Sequence, residues 1–269
     1  MVMTSIALLG PLFVVVGYGL ILGIAFVHFT KFLPADSPGH LILSIFLACE
    51  LLLQYSLAIW SDPGYVDQRH LVESGVADGD QRFCQHCERV KPRRAHHCRE
   101  CQRCVYEMDH HCPWINNCVG YYNYRHFWLL LLYIWVSCLY VAMLSAGLFV
   151  ATFTTSADEA SATGRERVVL DRFKVLFSFM ATSVVGVVIC GYWGWHVYLV
   201  LTEQSTIEFM QHEGDRKRLS VSVASVRHAL GRLLGRQDAF WFTAFVLPPF
   251  EPRVPPKYMQ KPHGASTAV

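Results

Sequence analysis

Charge is scarce in this sequence. Lys, Arg, Asp and Glu make up 16% of its 269 residues, against 53% hydrophobic residues. That balance excludes an ordinary soluble domain, in which about a quarter of residues are charged. The scarcity is uneven. Residues 6–29 hold no Asp, Glu, Lys or Arg, and residues 41–60 hold one, Glu50. Residues 127–153 and 173–201 are two further long apolar blocks. A helix needs about 20 mostly apolar residues to cross a bilayer, so four membrane spans are predicted. The first block lacks a basic start and a small-residue cleavage site, and its apolar run is long. We expect a retained span rather than a cleaved signal.

A charge excess of either sign is also missing, with a formal net charge of +2. The stretch 61–125 carries 9 basic and 9 acidic residues. It lacks the positive face that phosphate contacts require, which argues against nucleic acid as a partner. The basic residues are concentrated. Nine lie in 61–125 and nine in 202–269, while the connection 30–40 has only Lys31 and the stretch 154–172 has three arginines. Lys and Arg gather on the cytoplasmic side, so 61–125, the tail and the N-terminus are expected in the cytosol. The reading is therefore an all-α membrane protein. It has helices one and two in 1–60, a cysteine-rich module in 61–125, helices three and four in 126–201 and a tail in 202–269.

Seven of the ten cysteines fall in the module. Cytosolic thiols stay reduced, so they read as metal ligands or catalysts rather than disulfides. Cys84-x2-Cys87-x9-His97-x6-Cys104 is one set, and Cys98-x2-Cys101-x9-His111-x6-Cys118 is another. Each residue of the second lies 14 after its counterpart. Three thiolates and an imidazole are a common structural zinc set, so two zinc ions are predicted. Cys49, Cys138 and Cys190 lie within spans and read as packing residues.

Seven thiols less six ligands leaves Cys112. "HHC" recurs at 96–98 and 110–112, but position 115 is Ile, so no third set forms. Spacing alone also admits an exchange of Cys112 with a neighbouring cysteine, or of His110 with His111, although the 14-residue register argues against both. A thiolate is the reactive form of cysteine, and an imidazole nearby favours it. His110 is two residues from Cys112, on the same face of an extended chain. Asp109 can hold the other imidazole nitrogen, which is the logic of a triad.

The run Cys84 to Asn123, with "DHHC" at 109–112 inside "C-x2-C-x3-KP-x-R-x2-HC-x2-C-x2-C-x4-DHHCPW-x2-NCVG-x2-N", resembles the DHHC protein S-acyltransferases, or palmitoyltransferases. "DPG" at 62–64 and the four-span layout extend the likeness. The resemblance implies two steps: Cys112 takes an acyl chain from acyl-CoA, then passes it to a cysteine of a protein substrate. It assigns His110 as base and Asp109 as its partner, and treats both zinc sets as structural. It implies an integral membrane enzyme of an endomembrane (Golgi or ER) or of the plasma membrane. The competing class is a catalytically weak scaffold whose zinc module binds proteins. That class needs the zinc sets but not Asp109, His110 and Cys112 together.

Cys112 lies 15 residues before Phe127, so it is expected at the membrane face. A sixteen-carbon chain stays in lipid there, since burial at about 0.8 kcal/mol per methylene gives on the order of 10 kcal/mol. Trp114 and Phe127 are candidates to line its path, Trp114 equally an interface anchor. Lys91, Arg94 and His96 are candidates to hold the phosphates of CoA, or are an ordinary solvated patch. "STIE" at 205–208 keeps Thr206 and Glu208 of the family's Thr-Thr-x-Glu, with Ser205 for the first Thr. Asn occurs only at 116, 117 and 123, so the family's tail Asn is missing. The aromatic stretch 239–250 is too short to span and suits an interface. Glu50 and Gln54, one turn apart, read as a hydrogen bond between helices, and Gly19 and Gly23 as a small-residue packing pair.

Overall fold

A computed structural model describes residues 5–34, 37–66, 82–92, 94–154, 162–211 and 222–234. The stretch 239–250 and the chain end lie outside the described residues. Four long helices dominate: α1 (Ser5–Val27), α2 (Pro38–Trp60), α3 (Tyr124–Thr154) and α4 (Ala162–Thr202). All four are long and apolar enough to cross a membrane. Large apolar side chains such as Ile42, Phe153 and Val187 are about seven-tenths exposed, the inverse of a soluble fold and suited to lipid. Pro11 lies inside α1, and a π turn (His28–Phe32) prolongs that helix beyond Val27.

Helix α4 begins 11 residues before the apolar block at 173. Its first turns carry Arg165, Glu166 and Arg167, good helix formers that continue the spiral where hydrophobicity stops. At 1.5 Å per residue its 41 residues span about 60 Å, twice a hydrocarbon core of about 30 Å. Two shorter helices follow, α5 (Thr206–Gln211) and α6 (Val223–Leu234).

By its contacts the chain forms two compact units. One comprises Val15–Tyr55 and Trp128–His196. Its aromatics interlock, with Trp193 against Trp128 and Trp135, and Phe149 stacked on Phe179. Polar groups pair inside it: His28 with Ser44 at 2.8 Å and His40 with Tyr140 at 2.8 Å. Gln54 Nε2 donates to Glu50 at 3.1 Å. That bond lies along α2. A Cβ built on Gly19 or Gly23 meets nothing within 4 Å, so no close approach by another described part of this chain requires glycine there.

The other unit comprises Met1–Val14, Ser56–Phe127 and Val197–Val269. It holds six three-residue strands in three antiparallel hairpins. They are β1 (Arg82–Cys84) with β2 (Arg89–Lys91), β3 (His96–Cys98) with β4 (Arg103–Val105), and β5 (His110–Cys112) with β6 (Asn117–Val119). Each hairpin starts 14 residues after the last. Glu88, Gln102 and Asn116, also 14 apart, all take positive φ of 47–55° at the end of the turn. The sequence repeat is thus a repeat of one hairpin.

Two small apolar clusters knit the hairpins together. One joins Val105, Met108 and Cys118, and the other joins Ala95, Tyr106 and Tyr121. Gly120 lies where a Cβ would come within 2.5 Å of the Pro63 carbonyl and of Val105. "SDPG" folds as expected of a helix breaker: the Asp62 carboxylate accepts from the N–H groups of Gly64 and Tyr65, and Gly64 takes a φ of 102°. Asn117 Nδ2 donates to the carbonyls of Ala58, Ile59 and Ser61 at 2.9–3.3 Å. It satisfies the open end of α2.

Candidate active site and metal centres

The hairpins bring the two predicted ligand sets together. The ligand atoms of Cys84, Cys87, His97 and Cys104 lie within 4.8 Å of one another, and so do those of Cys98, Cys101, His111 and Cys118. In each set a turn offers the Cys-x2-Cys pair, and the next hairpin offers a His and a Cys directly across its strands. The middle hairpin serves both sets, because His97 and Cys98 point to opposite faces of β3. Thiol–thiol separations are 3.4 Å (Cys101–Cys118) and 3.8 Å (Cys87–Cys104). A tetrahedral ion with bonds to sulfur of about 2.3 Å has edges of about 3.8 Å, so both sets fit such an ion.

Thiols packed this closely cannot all ionise alone. Hydrogen bonds from Cys101 and Cys118 hold Cys98 below the usual thiol range, while the bonds Cys118 shares with Cys101 and Cys98 push it far above. Burial and then Cys84 and Cys87 push Cys104 up in the other set. A divalent cation relieves that conflict by taking the place of the protons.

Cys112 opens the third hairpin and belongs to neither set. The turn after it is a 3₁₀ turn (Pro113–Ile115), in which Ile115, 1% exposed, occupies the register of Cys87 and Cys101. His110 lies on β5 on the same face as Cys112 and is hydrogen-bonded to it. Its Nδ1 lies 2.8 Å from Asp109 Oδ2. A carboxylate accepts, so Nδ1 carries the proton and Nε2 is the nitrogen left for the thiol. Burial opposes protonation of His110, yet the bonds to Asp109 and Cys112 outweigh it and raise its pKa to about 9. The ring of Phe127 meets that imidazole edge-on at 5.1 Å.

Asp109 is 1% exposed and fully engaged. Thr206 donates to it twice, from its backbone N–H to Oδ1 at 2.7 Å and from its hydroxyl to Oδ2 at 2.9 Å. Thr206 starts α5, and "STIE" folds as a capping box. Ser205 Oγ accepts from the Glu208 N–H at 3.2 Å, and Glu208 Oε2 accepts from the Ser205 N–H at 2.9 Å. Ser205 therefore performs the capping that a Thr performs there. Glu208 also receives the guanidinium of Arg94 at 2.6 and 2.8 Å, and Glu107 receives it at 2.7 Å. The geometry thus runs from Arg94 through Glu208 and Thr206 to Asp109, His110 and Cys112. Sequence reading supplied the last three and the motif at 205–208. It missed Glu107, and S-x-x-E was the signal for the cap.

The other candidates are dispersed. Trp114 is half-exposed, with its ring 5.2 Å from that of Phe13 in α1. Lys91 closes β2 and His96 opens β3. Burial and then the Lys91 charge hold His96 below the usual imidazole range.

The family model of the DHHC palmitoyltransferases matches residues 77–213. A Dictyostelium discoideum protein named ZDHHC-type palmitoyltransferase 4 is 31% identical over 267 residues, with 88% of this chain and 72% of the relative covered. An Arabidopsis thaliana protein named protein S-acyltransferase 16 is 36% identical over 193 residues, covering 67% and 64%. Human palmitoyltransferase ZDHHC2 is 32% identical over 168 residues, covering 61% of this chain and 42% of its own length. The chain belongs to the DHHC palmitoyltransferase family.

Proposed function

We propose that this protein is a membrane-bound protein S-acyltransferase that carries a long acyl chain, palmitoyl by family, from acyl-CoA to cysteines of substrate proteins. The observation that supports it best is the Asp109–His110–Cys112 arrangement on the one hairpin whose turn carries no Cys-x2-Cys pair. In the first step the proton of the Cys112 thiol rests on His110 Nε2, and the Cys112 thiolate attacks the thioester carbonyl. The bond from that carbonyl to the sulfur of CoA breaks, and the CoA sulfur leaves with the proton held by His110. In the second step a substrate cysteine gives its proton to His110 and attacks the acyl-Cys112 carbonyl; the bond from that carbonyl to Cys112 Sγ breaks, and the Cys112 thiolate is left paired with the proton on His110, as at the start. Asp109 keeps the imidazole in the Nδ1–H tautomer and favours the imidazolium formed in each step.

Zinc suits both ligand sets, and its part is to fold the hairpins. Lys91 and His96 are the contacts we propose for the anionic donor, and Trp114 and Phe127 those for its chain near the thioester. The basic residues of 61–125 and 202–269 support a cytosolic face for the module and the tail, with cysteines at the cytosolic membrane surface as substrates. The test is labelling of the purified protein with alkyne-tagged palmitoyl-CoA. We expect hydroxylamine-sensitive label on the wild type and none on Cys112→Ser with two zinc ions per chain retained. Equal label on both would remove Cys112 from its role.

A further inference from the structure

We infer that Arg94 is a positioning residue for the chemistry at Cys112 rather than a contact for the donor's phosphates. The inference rests on the acyltransferase reading above. Three guanidinium nitrogens are directed at carboxylates. Nε and Nη2 form a fork on Glu208 at 2.6 and 2.8 Å, and Nη1 bonds Glu107 at 2.7 Å. Nη2 also reaches the Glu203 carbonyl at 3.4 Å. Both carboxylates thus already take up the guanidinium's charge. A phosphate reaching Arg94 would have to displace a bidentate partner, the strongest pairing a guanidinium makes.

Both carboxylates lead to Asp109. Glu107 is two residues before it and holds a φ of 43°, a left-handed conformation that a side chain other than glycine adopts only under constraint. Glu208 is the far corner of the capping box, whose next residue, Thr206, donates both hydrogen bonds to Asp109. Arg94 therefore clamps the turn before Asp109 to the helix that grips its carboxylate. With the clamp lost, Asp109 keeps its chemistry but not its aim, and the Nδ1–H of His110 is no longer fixed. A lysine cannot replace the guanidinium, because a point charge cannot hold a fork on one carboxylate and a third bond to another.

The test separates aim from donor affinity. Wild type, Arg94→Gln, Arg94→Lys, Glu107→Gln and Glu208→Gln are purified and checked for two zinc ions per chain. Self-acylation rate is measured against palmitoyl-CoA concentration. Alkylation of the Cys112 peptide by iodoacetamide without donor is followed by mass spectrometry. We expect Arg94→Gln and Arg94→Lys to lose tenfold or more of the rate at saturating donor, with the half-saturating concentration held within twofold. Cys112 alkylation should slow by a similar factor, and Arg94→Gln combined with Glu208→Gln should be no slower than either alone. A tenfold higher half-saturating concentration with the saturated rate kept, or unchanged alkylation, would overturn the inference. Should Arg94→Gln lose zinc, Arg94→Lys and Glu107→Gln carry the same test. A wild type that does not self-acylate sinks the acyltransferase reading instead, and the alkylation arm still decides the role of Arg94.

Discussion

The second and third hairpins share a strand sequence, His-His-Cys, and a cross-strand register, yet the second offers residues to both candidate metal sets, while the third offers two to one set and leaves the Cys112 thiol outside both. Six of the eleven positions from 95 to 105 differ from their counterparts at 109 to 119, and three of the six change what the hairpin holds. Ala95, in the apolar cluster, becomes Asp109, which is gripped by Thr206. Cys101 becomes Ile115, which fills the turn with hydrocarbon where a second thiol would be. Arg103, stacked on Tyr65, becomes Asn117, which caps α2. The last change fastens the hairpin to the end of α2, the second leaves Cys112 without a paired thiol in its turn, and the first places a carboxylate 2.8 Å from the His110 imidazole.

The largest contrast is between equivalent cysteines. Cys98→Ser should release at least one metal ion and unfold the module, because structural zinc supplies its folding free energy. Cys112→Ser should keep both ions and its melting temperature while losing the acyl-enzyme altogether. Metal analysis and labelling on the two variants make the comparison.

Next in size is Asp109→Ala, which makes the third hairpin resemble the second. The self-acylation rate should fall by about two orders of magnitude, the scale of a misaimed general base, with metal content unchanged. A variant that acylates at the wild-type rate would show that Asp109 serves folding only.

Ile115→Cys restores the thiol pair. The variant should bind additional zinc and lose most of its acylation at zinc concentrations that leave the wild type active. Unchanged activity and stoichiometry would mean that something other than the missing thiol keeps metal from the third hairpin.

The smallest effect concerns the cap. Ser205→Ala should cost about 1 kcal/mol, the usual worth of an N-cap, and Ser205→Thr should be neutral in thermal melting.

The spans and both ligand sets were legible in the sequence because each is a local periodicity, of about 20 apolar residues or of 14 positions. The pairing of His110 with Cys112 followed from strand alternation alone. The start of α4 was not legible, since helix propensity outlasts the apolar run that marked it. Helix α6 was hidden by a polar, basic stretch. Arg94 was read with Lys91 and His96 as a basic patch, because its partner Glu208 lies 114 positions away and no local rule joins them. Asn117 looked like a motif letter, and its three bonds to α2 depend on tertiary structure.

The central claim is that Cys112 lies outside both metal sets because the third turn has Ile115 where the other two have a second thiol. Native mass spectrometry of the intact protein after brief exposure to palmitoyl-CoA tests it in one spectrum. The account predicts one acyl group added, mapped to the Cys112 peptide and removed by hydroxylamine, with two zinc ions still bound to the acylated species. An acylated species that has lost a metal ion, or an acyl group on any of the six ligand cysteines, would contradict it.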